Sequence, residues 1–193
     1  MVTAAAVKEP ARHRFTVAEY RAMAEAGIFG EDDRVELIEG EIYDMPPIGP
    51  EHGFSTDELA NGFKERLGNR VRVRTQSPLH LEDGSEPEPD VALLRPPASR
   101  YRGRHPTPAD VLLLVEVSSS TLHFDRTHKL RLYARHGIPE VWIVDLIDGL
   151  IETYADPADG QYRHHHVHRR GEELAPQAFP DCRLAVDQVL GLS

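Results

Sequence analysis

The sequence predicts an α/β fold of the mixed α+β kind, in which a mixed β-sheet is flanked by helices. Three observations lead to this prediction. Residues 111–117 and 141–146 are almost continuously apolar, as expected of central strands that are covered on both faces. A segment with helical spacing, about 125–136, lies between them. The chain then turns at two Asp-Gly pairs into shorter strands, as in a meander.

Length and composition indicate the number of domains and the class of protein. The chain has 193 residues, of which 40% are hydrophobic and 28% are charged, values that are ordinary for a globular protein. We expect a mobile segment over 1–13 and one domain over 14–193. A lone cysteine, Cys182, excludes a disulfide scaffold and favours a reducing, cytoplasmic location. No apolar run approaches the roughly 18 residues of a membrane span, so no membrane partner is expected.

The first elements are predicted from turn and capping signals. Thr16 and Glu19 form a capping-box pattern, which opens a helix that ends at Gly27. Residues 35–38 and 41–43 are typical of a short hairpin closed by a tight turn.

A second helix is predicted from about 52 to 67, because Leu59, Phe63 and Leu67 recur at four-residue spacing. Residues 71–75 alternate between apolar and polar, which indicates a strand with one solvated face.

The later elements follow in the same way. A strand begins after Pro89 and runs to 94, and a loop rich in Pro and Arg covers 95–110. The helix over 125–136 ends at Gly137 and Pro139. Residues 151–154 and 162–168 are predicted strands, and the tail over 182–190 is expected to pack back on the sheet.

Glu116 is the most informative residue for function. It is the single charge in the apolar strand 111–117, and burying a carboxylate is costly unless it is paired or binds a metal. The alternative is that Glu116 lies at the strand end and meets water or an arginine. Composition alone favours neither interpretation.

Asp90 begins the neighbouring apolar strand. An aspartate in this position is usually a turn residue or a cap, so alone it is weak evidence. Two carboxylates at matching ends of neighbouring strands, however, are able to share a hard cation, because Mg²⁺ takes oxygen ligands.

Lys129 is the third candidate. At 100° per residue it falls on the same arc of its helix as Leu130, Leu132 and Tyr133, whereas Arg131 falls on the other side. Helical spacing alone favours the simple explanation that the Lys129 stem covers apolar surface and its ammonium reaches water.

Taken together, these residues carry a resemblance. Pro89-Asp90, Glu116-Val117-Ser118, and Asp125 with Lys129 resemble the Uma family of restriction-endonuclease-like proteins, part of the PD-(D/E)xK nuclease superfamily. Residues 35–42, His52 and the run 129–145 also match, and the resemblance extends over about 15–190.

The resemblance implies a restriction-endonuclease-like core and a metal-dependent phosphodiesterase. Asp90, Glu116 and the carbonyl of Val117 would bind Mg²⁺ or Mn²⁺, and Lys129 would assist the attacking water. One departure stands out: Ser118 occupies the position where the superfamily motif has its lysine. The resemblance implies that the lysine has moved to the helix, as Lys129.

Three further residues are weaker candidates. His52 and Glu36 would contact the metal or water, although His52 is equally typical of a helix start and Glu36 of the polar side of a hairpin. Asp125 is predicted mainly as the N-cap of its helix, and it could also pair with Lys129 one turn on.

His164, His166 and His168 would share one face of a strand, which raises the possibility of a metal site. The pattern more strongly favours a solvated polar face, because zinc sites usually gather ligands from different segments. Cys182 is interpreted as a core residue.

Two functions are weighed. The first is a Mg²⁺-dependent DNA endonuclease acting on duplex DNA, for which two-strand cleavage favours a homodimer. The second is a catalytically quiet homodimeric binding module that keeps the fold. Presence of Asp90, Glu116 and Lys129 together favours the enzyme.

The formal net charge of −10 argues against broad, non-specific binding of nucleic acid. Residues 95–136, however, carry eight Lys or Arg against three Asp or Glu, which allows local contact with nucleic acid.

Overall fold

The structure is a computed structural model, and it describes residues 11–30, 32–82 and 84–192. The mobile segment expected over 1–13 lies outside the described residues, apart from Ala11, Arg12 and His13, which are exposed.

The centre of the fold is a six-stranded mixed sheet with the strand order β3-β4-β5-β6-β7-β8. The strands are β3 Arg72–Thr75, β4 Val91–Leu94, β5 Val111–Ser118, β6 Glu140–Asp145, β7 Leu150–Ala158 and β8 Gln161–His168. Only β5 and β6 run parallel, and every other neighbouring pair is antiparallel. The predicted mixed sheet is confirmed, and its last two strands are longer than the apolar pattern alone indicated.

A separate hairpin precedes the sheet in the chain. Its strands β1 (Val35–Ile38) and β2 (Glu41–Asp44) turn at Glu39 and Gly40, both of which have positive φ. A Cβ at Gly40 would lie 2.8 Å from the Cβ of Arg14, so glycine is required there by space as well as by conformation. The Glu86 N–H donates to the Leu37 carbonyl at 2.7 Å, which ties the hairpin to the loop that leads into β4.

Two helices precede β3. Helix α1 (Val17–Glu25) begins at the predicted capping box, in which Thr16 and Glu19 exchange hydrogen bonds. Helix α2 (Pro50–Leu67) begins two residues before the predicted start, because Pro50 suits the first helical turn.

The helix after β5 begins earlier than predicted. It comprises α3 (Leu122–Phe124), a turn of π-helix (Asp125–Lys129) and α4 (Leu130–Arg135), which continue one another without a break in helical dihedral angles. Thr121 occupies the N-cap position, and Asp125 lies inside the helix with a buried side chain. The prediction that Asp125 caps this helix is therefore wrong.

The sheet separates two apolar clusters. On one face, α2 packs with the tail, where Leu184, Val186 and Val189 are buried as the tail prediction required. The tail contributes β9 (Glu173–Leu174), β10 (Leu184–Ala185) and α5 (Val186–Leu190). Cys182 is also buried in this cluster, in agreement with its interpretation as a core residue.

The opposite face of the sheet is covered by Leu132 and Tyr133 of α4. Ile138, just after this helix, packs in the same cluster. Within the described parts of the chain, no helix combines the length and the apolar character that a membrane span needs.

Phe63 gives a direct test of the α2 interface. It is fully buried and its ring centroid lies 5.8 Å from that of Trp142. We expect Phe63→Ala to lower the free energy of unfolding by about 3–5 kcal/mol, because the cavity removes contacts on both sides. Urea denaturation would measure it, with Phe54→Ala on the same helix as control. Phe54 is 46% exposed, and its loss should cost less than about 1 kcal/mol. Equal losses for the two variants would contradict this packing.

Candidate active site

The register of β4 and β5 places two carboxylates side by side. Val91 is paired with Val115 in an antiparallel ladder, so the next facing positions are Asp90 and Glu116. Both side chains are buried, with 6% and 3% of their residue surface exposed. Asp90 Oδ2 also accepts a hydrogen bond from the Val117 N–H at 2.8 Å, which fixes the carboxylate at the end of the ladder.

Lys129 reaches this position from the helix. Its Nζ lies 3.3 Å from Glu116 Oε2, and only 3% of the residue is exposed. The interpretation that its ammonium reaches water, which helical spacing alone favoured, is therefore wrong. The helix instead points the side chain of Lys129 into the protein, together with Asp125 and Tyr133 at four-residue spacing, while Arg131 stays exposed.

Glu36 is the second partner of Lys129. Nζ donates to Glu36 Oε1 at 3.0 Å and lies 2.9 Å from Oε2. Glu36 belongs to β1, is 4% exposed and is separated from Lys129 by 93 residues. Its interpretation as a solvated polar residue of the hairpin is therefore wrong, because the hairpin turns this side chain inward.

His52 stands beside Asp90 in the first turn of α2. Its Nε2 lies 3.2 Å from Asp90 Oδ2, and its buried Nδ1 has no hydrogen-bond partner among the described residues. The structure thus brings all five candidates, Asp90, Glu116, Lys129, His52 and Glu36, into one place.

Two hydroxyl groups complete the arrangement. Tyr133 donates to Glu116 Oε1 at 2.5 Å, so both oxygens of Glu116 are engaged. Ser118, which stands where the superfamily motif has lysine, donates to Asp125 Oδ2 at 2.8 Å. Asp125 Oδ1 lies 4.0 Å from Lys129 Nζ, so the expected pairing of these two residues is present at the outer limit of ion-pair distance.

The five candidates and Asp125 line a small pocket with an excess of negative charge, whereas Tyr133 and Ser118 support it from outside the lining. Its free volume of about 50 Å³ is enough for a few water-sized particles. The pocket carries five carboxylates, two permanent cations and one histidine: Glu36, Glu88, Asp90, Glu116, Asp125, Arg34, Lys129 and His52.

Glu88 and Tyr133 are the members that sequence reasoning missed. A signal for Glu88 was present, because alternate residues of an extended segment lie on one side and Glu88 is two positions before Asp90. Helical spacing predicts that Tyr133 faces inward, but it does not show that the hydroxyl group binds Glu116, because Glu116 lies in β5.

Burial and mutual repulsion shift the acid–base behaviour of the cluster. Burial raises the pKa of Glu116 well above its usual range, and the carboxylates of Asp125, Asp90 and Glu36 raise it further, against the attraction of Lys129. Burial lowers the pKa of Lys129, but Glu116 and Glu36 outweigh it and hold the pKa well above its ordinary value. Burial and the neighbouring Glu36 raise the pKa of Glu88 to about 7.

The histidine-rich strand β8 is separate from this pocket. On the predicted face, His164 and His166 are exposed, as the favoured interpretation of a solvated face requires, whereas His168 is half-buried beside Thr153. Among the described residues, no group of three or more His, Cys, Asp or Glu side chains has the arrangement of a metal site. The pocket accordingly offers pairs of carboxylates rather than a complete side-chain cage.

The six-stranded mixed sheet flanked by helices has a restriction-endonuclease-like fold, and its site brings two acidic residues of adjacent strands to a buried lysine. A family model named Uma2 and described as "putative restriction endonuclease" matches residues 17–187. The chain belongs to this family, and family and fold together support a nuclease function in general.

The crystal structure of a "putative nuclease belonging to DUF820" from Anabaena variabilis ATCC 29413 is similar in fold. It superimposes with a TM-score of 0.71 at 14% sequence identity, over 92% of this chain and 98% of that one. No curated protein matches the sequence.

Removal of the buried ammonium should destabilise the fold. Lys129→Met leaves Glu36 and Glu116 buried without a cation, and we expect a loss of about 3–5 kcal/mol in the free energy of unfolding at pH 8. The loss should shrink towards pH 5, because the carboxylates then take up protons. Urea denaturation at both pH values measures this, and Lys64→Met, at an exposed lysine of α2, is the control. A pH-independent loss would contradict the electrostatic explanation.

Glu88 gives a second pH-dependent prediction. Its pKa in the folded chain is about 7 against an ordinary value of 4.5, so the folded state holds the proton more tightly. The contribution of Glu88 to stability is therefore present below pH 4.5 and is lost as the pH rises through about 7.

Glu88→Gln removes this titration, and we expect a shallower fall in stability between pH 5 and pH 8 in denaturation experiments with EDTA present. Glu65→Gln, at an exposed glutamate of α2, should reproduce the wild-type slope. A Glu88→Gln slope equal to that of this control would rule out the assignment.

Proposed function

We propose that this protein is a Mg²⁺- or Mn²⁺-dependent endonuclease that hydrolyses phosphodiester bonds of duplex DNA. The single observation that carries the proposal is the convergence of Asp90, Glu116 and Lys129, from two strands and a helix, in one pocket. In the resemblance to the family, Asp90 and Glu116 stand at the acidic positions of the motif, and Lys129 of the helix replaces the lysine expected at Ser118.

The donor set of the pocket fits a hard divalent cation. Mg²⁺ is usually bound by one or two carboxylates together with waters, and it does not need a cage made only of side chains. Asp90 and Glu116 supply the carboxylates. The N–H of Val117 faces Asp90, and in a strand the carbonyl of the same residue lies on the same edge, which makes it available as a third oxygen ligand.

The charge of the pocket supports the same conclusion. Five carboxylates stand against Lys129 and Arg34 in this pocket. Burial raises the pKa of Glu116, and repulsion from Asp125, Asp90 and Glu36 raises it further. A bound cation would relieve this repulsion. Bound Mg²⁺ or Mn²⁺ supplies an acidified water and polarises a phosphate oxygen.

The chain's own residues supply positioning and charge. The ammonium of Lys129 is a donor fixed by Glu36 and Glu116, so it is placed to orient a water and to stabilise negative charge developing on the phosphoryl group. Tyr133 holds the remaining oxygen of Glu116 and limits its rotation. His52 Nε2 lies 3.2 Å from Asp90 Oδ2, the oxygen that also accepts from the Val117 N–H, and so helps to hold this carboxylate in place.

Plasmid cleavage tests the proposal. We expect supercoiled DNA to be nicked or linearised with Mg²⁺ or Mn²⁺ and to stay intact with EDTA. Asp90→Ala and Lys129→Ala should each lower the rate by about 100-fold or more, because each removes a group that acts on the reacting phosphate. Asp57→Asn, at an exposed aspartate of α2, is the matched control and should cleave at the wild-type rate.

Two outcomes would contradict the proposal. Equal nicking by the wild type, Asp90→Ala and Lys129→Ala would show that the activity does not come from this site. Absence of cleavage by the wild type on plasmid, linear duplex and single-stranded substrates, with either metal, would exclude a nuclease of this kind.

A further inference from the structure

A second cleft lies beside the active-site pocket, and its charge is opposite. It has a volume of about 530 Å³ and is lined by four arginines and two histidines: Arg21, Arg74, Arg102, Arg104, His80 and His105. Among the residues that the structure describes, no carboxylate lines it. We call it the cationic cleft, and it is unusual in a chain with a formal net charge of −10.

Two of the arginines, Arg21 and Arg104, are held in place by ion pairs with buried carboxylates. Glu86 is 4% exposed and pairs with Arg21 Nη2 at 2.5 Å. Asp110 is 3% exposed and pairs with Arg104 Nη1 at 2.6 Å. The side chains of these arginines remain 44% and 43% exposed, so each guanidinium is fixed on one side and open on the other. Such preorganised groups lose little conformational entropy when they bind an anion.

The buried acids do not neutralise the cleft. Asp110 carries one negative charge but pairs with two guanidinium groups, because Arg100 Nη1 also lies 3.2 Å from it. Within the described chain, no carboxylate lies within ion-pair distance of Arg74 or Arg102. Arg74 and Arg104 each lie over the ring of Tyr101, at 5.3 and 5.4 Å from its centroid, so this one aromatic side chain positions two cations of the cleft.

This arrangement suits phosphate groups. A guanidinium fork matches phosphate oxygens with two parallel hydrogen bonds. Arg74, Arg102 and Arg104 line the same cleft, so a phosphate that enters it meets several such groups.

The cleft is joined to the active site through one segment of chain. Glu86 supports the cleft, Glu88 lines the active-site pocket, and Asp90 belongs to the candidate metal site. Four residues of extended chain span at most about 14 Å, which is about four base-pair steps of B-form DNA at 3.4 Å per step.

We propose that the cationic cleft binds the phosphate backbone of duplex DNA on one side of the scissile bond. The proposal rests on the proposed function, since it identifies how the same substrate is held. It also explains how an acidic chain binds a polyanion, because the contact is confined to one built patch and the rest of the surface stays repulsive.

Equilibrium binding without cleavage tests the cleft directly. Fluorescence anisotropy of a labelled 20-base-pair duplex is measured in EDTA over a range of KCl concentrations, for the wild type, Arg102→Ala and the double variant Arg74→Gln/Arg102→Ala. The controls are Arg163→Ala and Arg183→Ala, at side chains that are 65% and 70% exposed and lie away from the cleft. Thermal unfolding of every variant confirms that the fold is kept.

We expect Arg102→Ala to weaken binding by about 10-fold at low salt and to reduce the slope of log K against log salt by about 1. The double variant should lose about twice as much of the slope, and the controls should bind as the wild type does. A dissociation constant and a salt slope for Arg102→Ala equal to those of the controls would overturn the proposal.

A second arm separates the DNA backbone from free anions. Inorganic phosphate at 10 mM should compete only weakly with the duplex. Stabilisation of the wild type but not of the double variant by phosphate, with equal duplex binding by both, would assign the cleft to small anions and overturn its assignment to DNA.

Failure of the proposed function would look different. Loss of duplex binding in the cleft variants, together with a wild type that cleaves nothing, leaves the cleft supported and removes the nuclease. Metal-dependent cleavage by the wild type, with duplex binding unchanged in the cleft variants, supports the nuclease and removes the proposed role of the cleft.

Discussion

Burial of a single ammonium group is the constraint on which this structure depends. Lys129 is almost completely removed from water, and an isolated charge in such a position would cost far more than a domain's net stability. It is tolerated because Glu36 and Glu116 lie within 3.3 Å and Asp125 stands at 4.0 Å. These acids are in turn tolerated only because of Lys129. Each member therefore fixes the others, and the cluster acts as one unit.

The members of this unit come from three separate parts of the fold. Glu36 belongs to the hairpin, Glu116 to a central strand, and Lys129 to the helix that follows that strand. The apolar clusters on the two faces of the sheet supply most of the stabilisation, since they contain nearly all of the fully buried side chains. The ion cluster adds little net stability of its own, but it links the hairpin and the helix to the sheet through the contacts of Lys129 with Glu36 and Glu116.

The sequence predicted those features that local patterns encode. The apolar run around Glu116 predicted a central strand, and helical phase placed Lys129 on the inward arc. Local patterns failed where a partner is distant in the chain. Glu36 looked like a solvated hairpin residue because its ammonium partner is 93 positions away. Asp125 looked like a cap because its true partner, Ser118, lies in the preceding strand.

The displaced lysine has a consequence for how this centre is assembled. A lysine two residues after Glu116 would be held by the same strand and would be in place as soon as the sheet formed. Here the position is taken by Ser118, and the ammonium arrives only when a separately packed helix docks. The hairpin must also close, since it brings Glu36. Local opening of either element, which needs far less free energy than global unfolding, would dismantle the charge cluster while the sheet persisted. The centre is therefore complete only when the hairpin, the sheet and the helix are packed together.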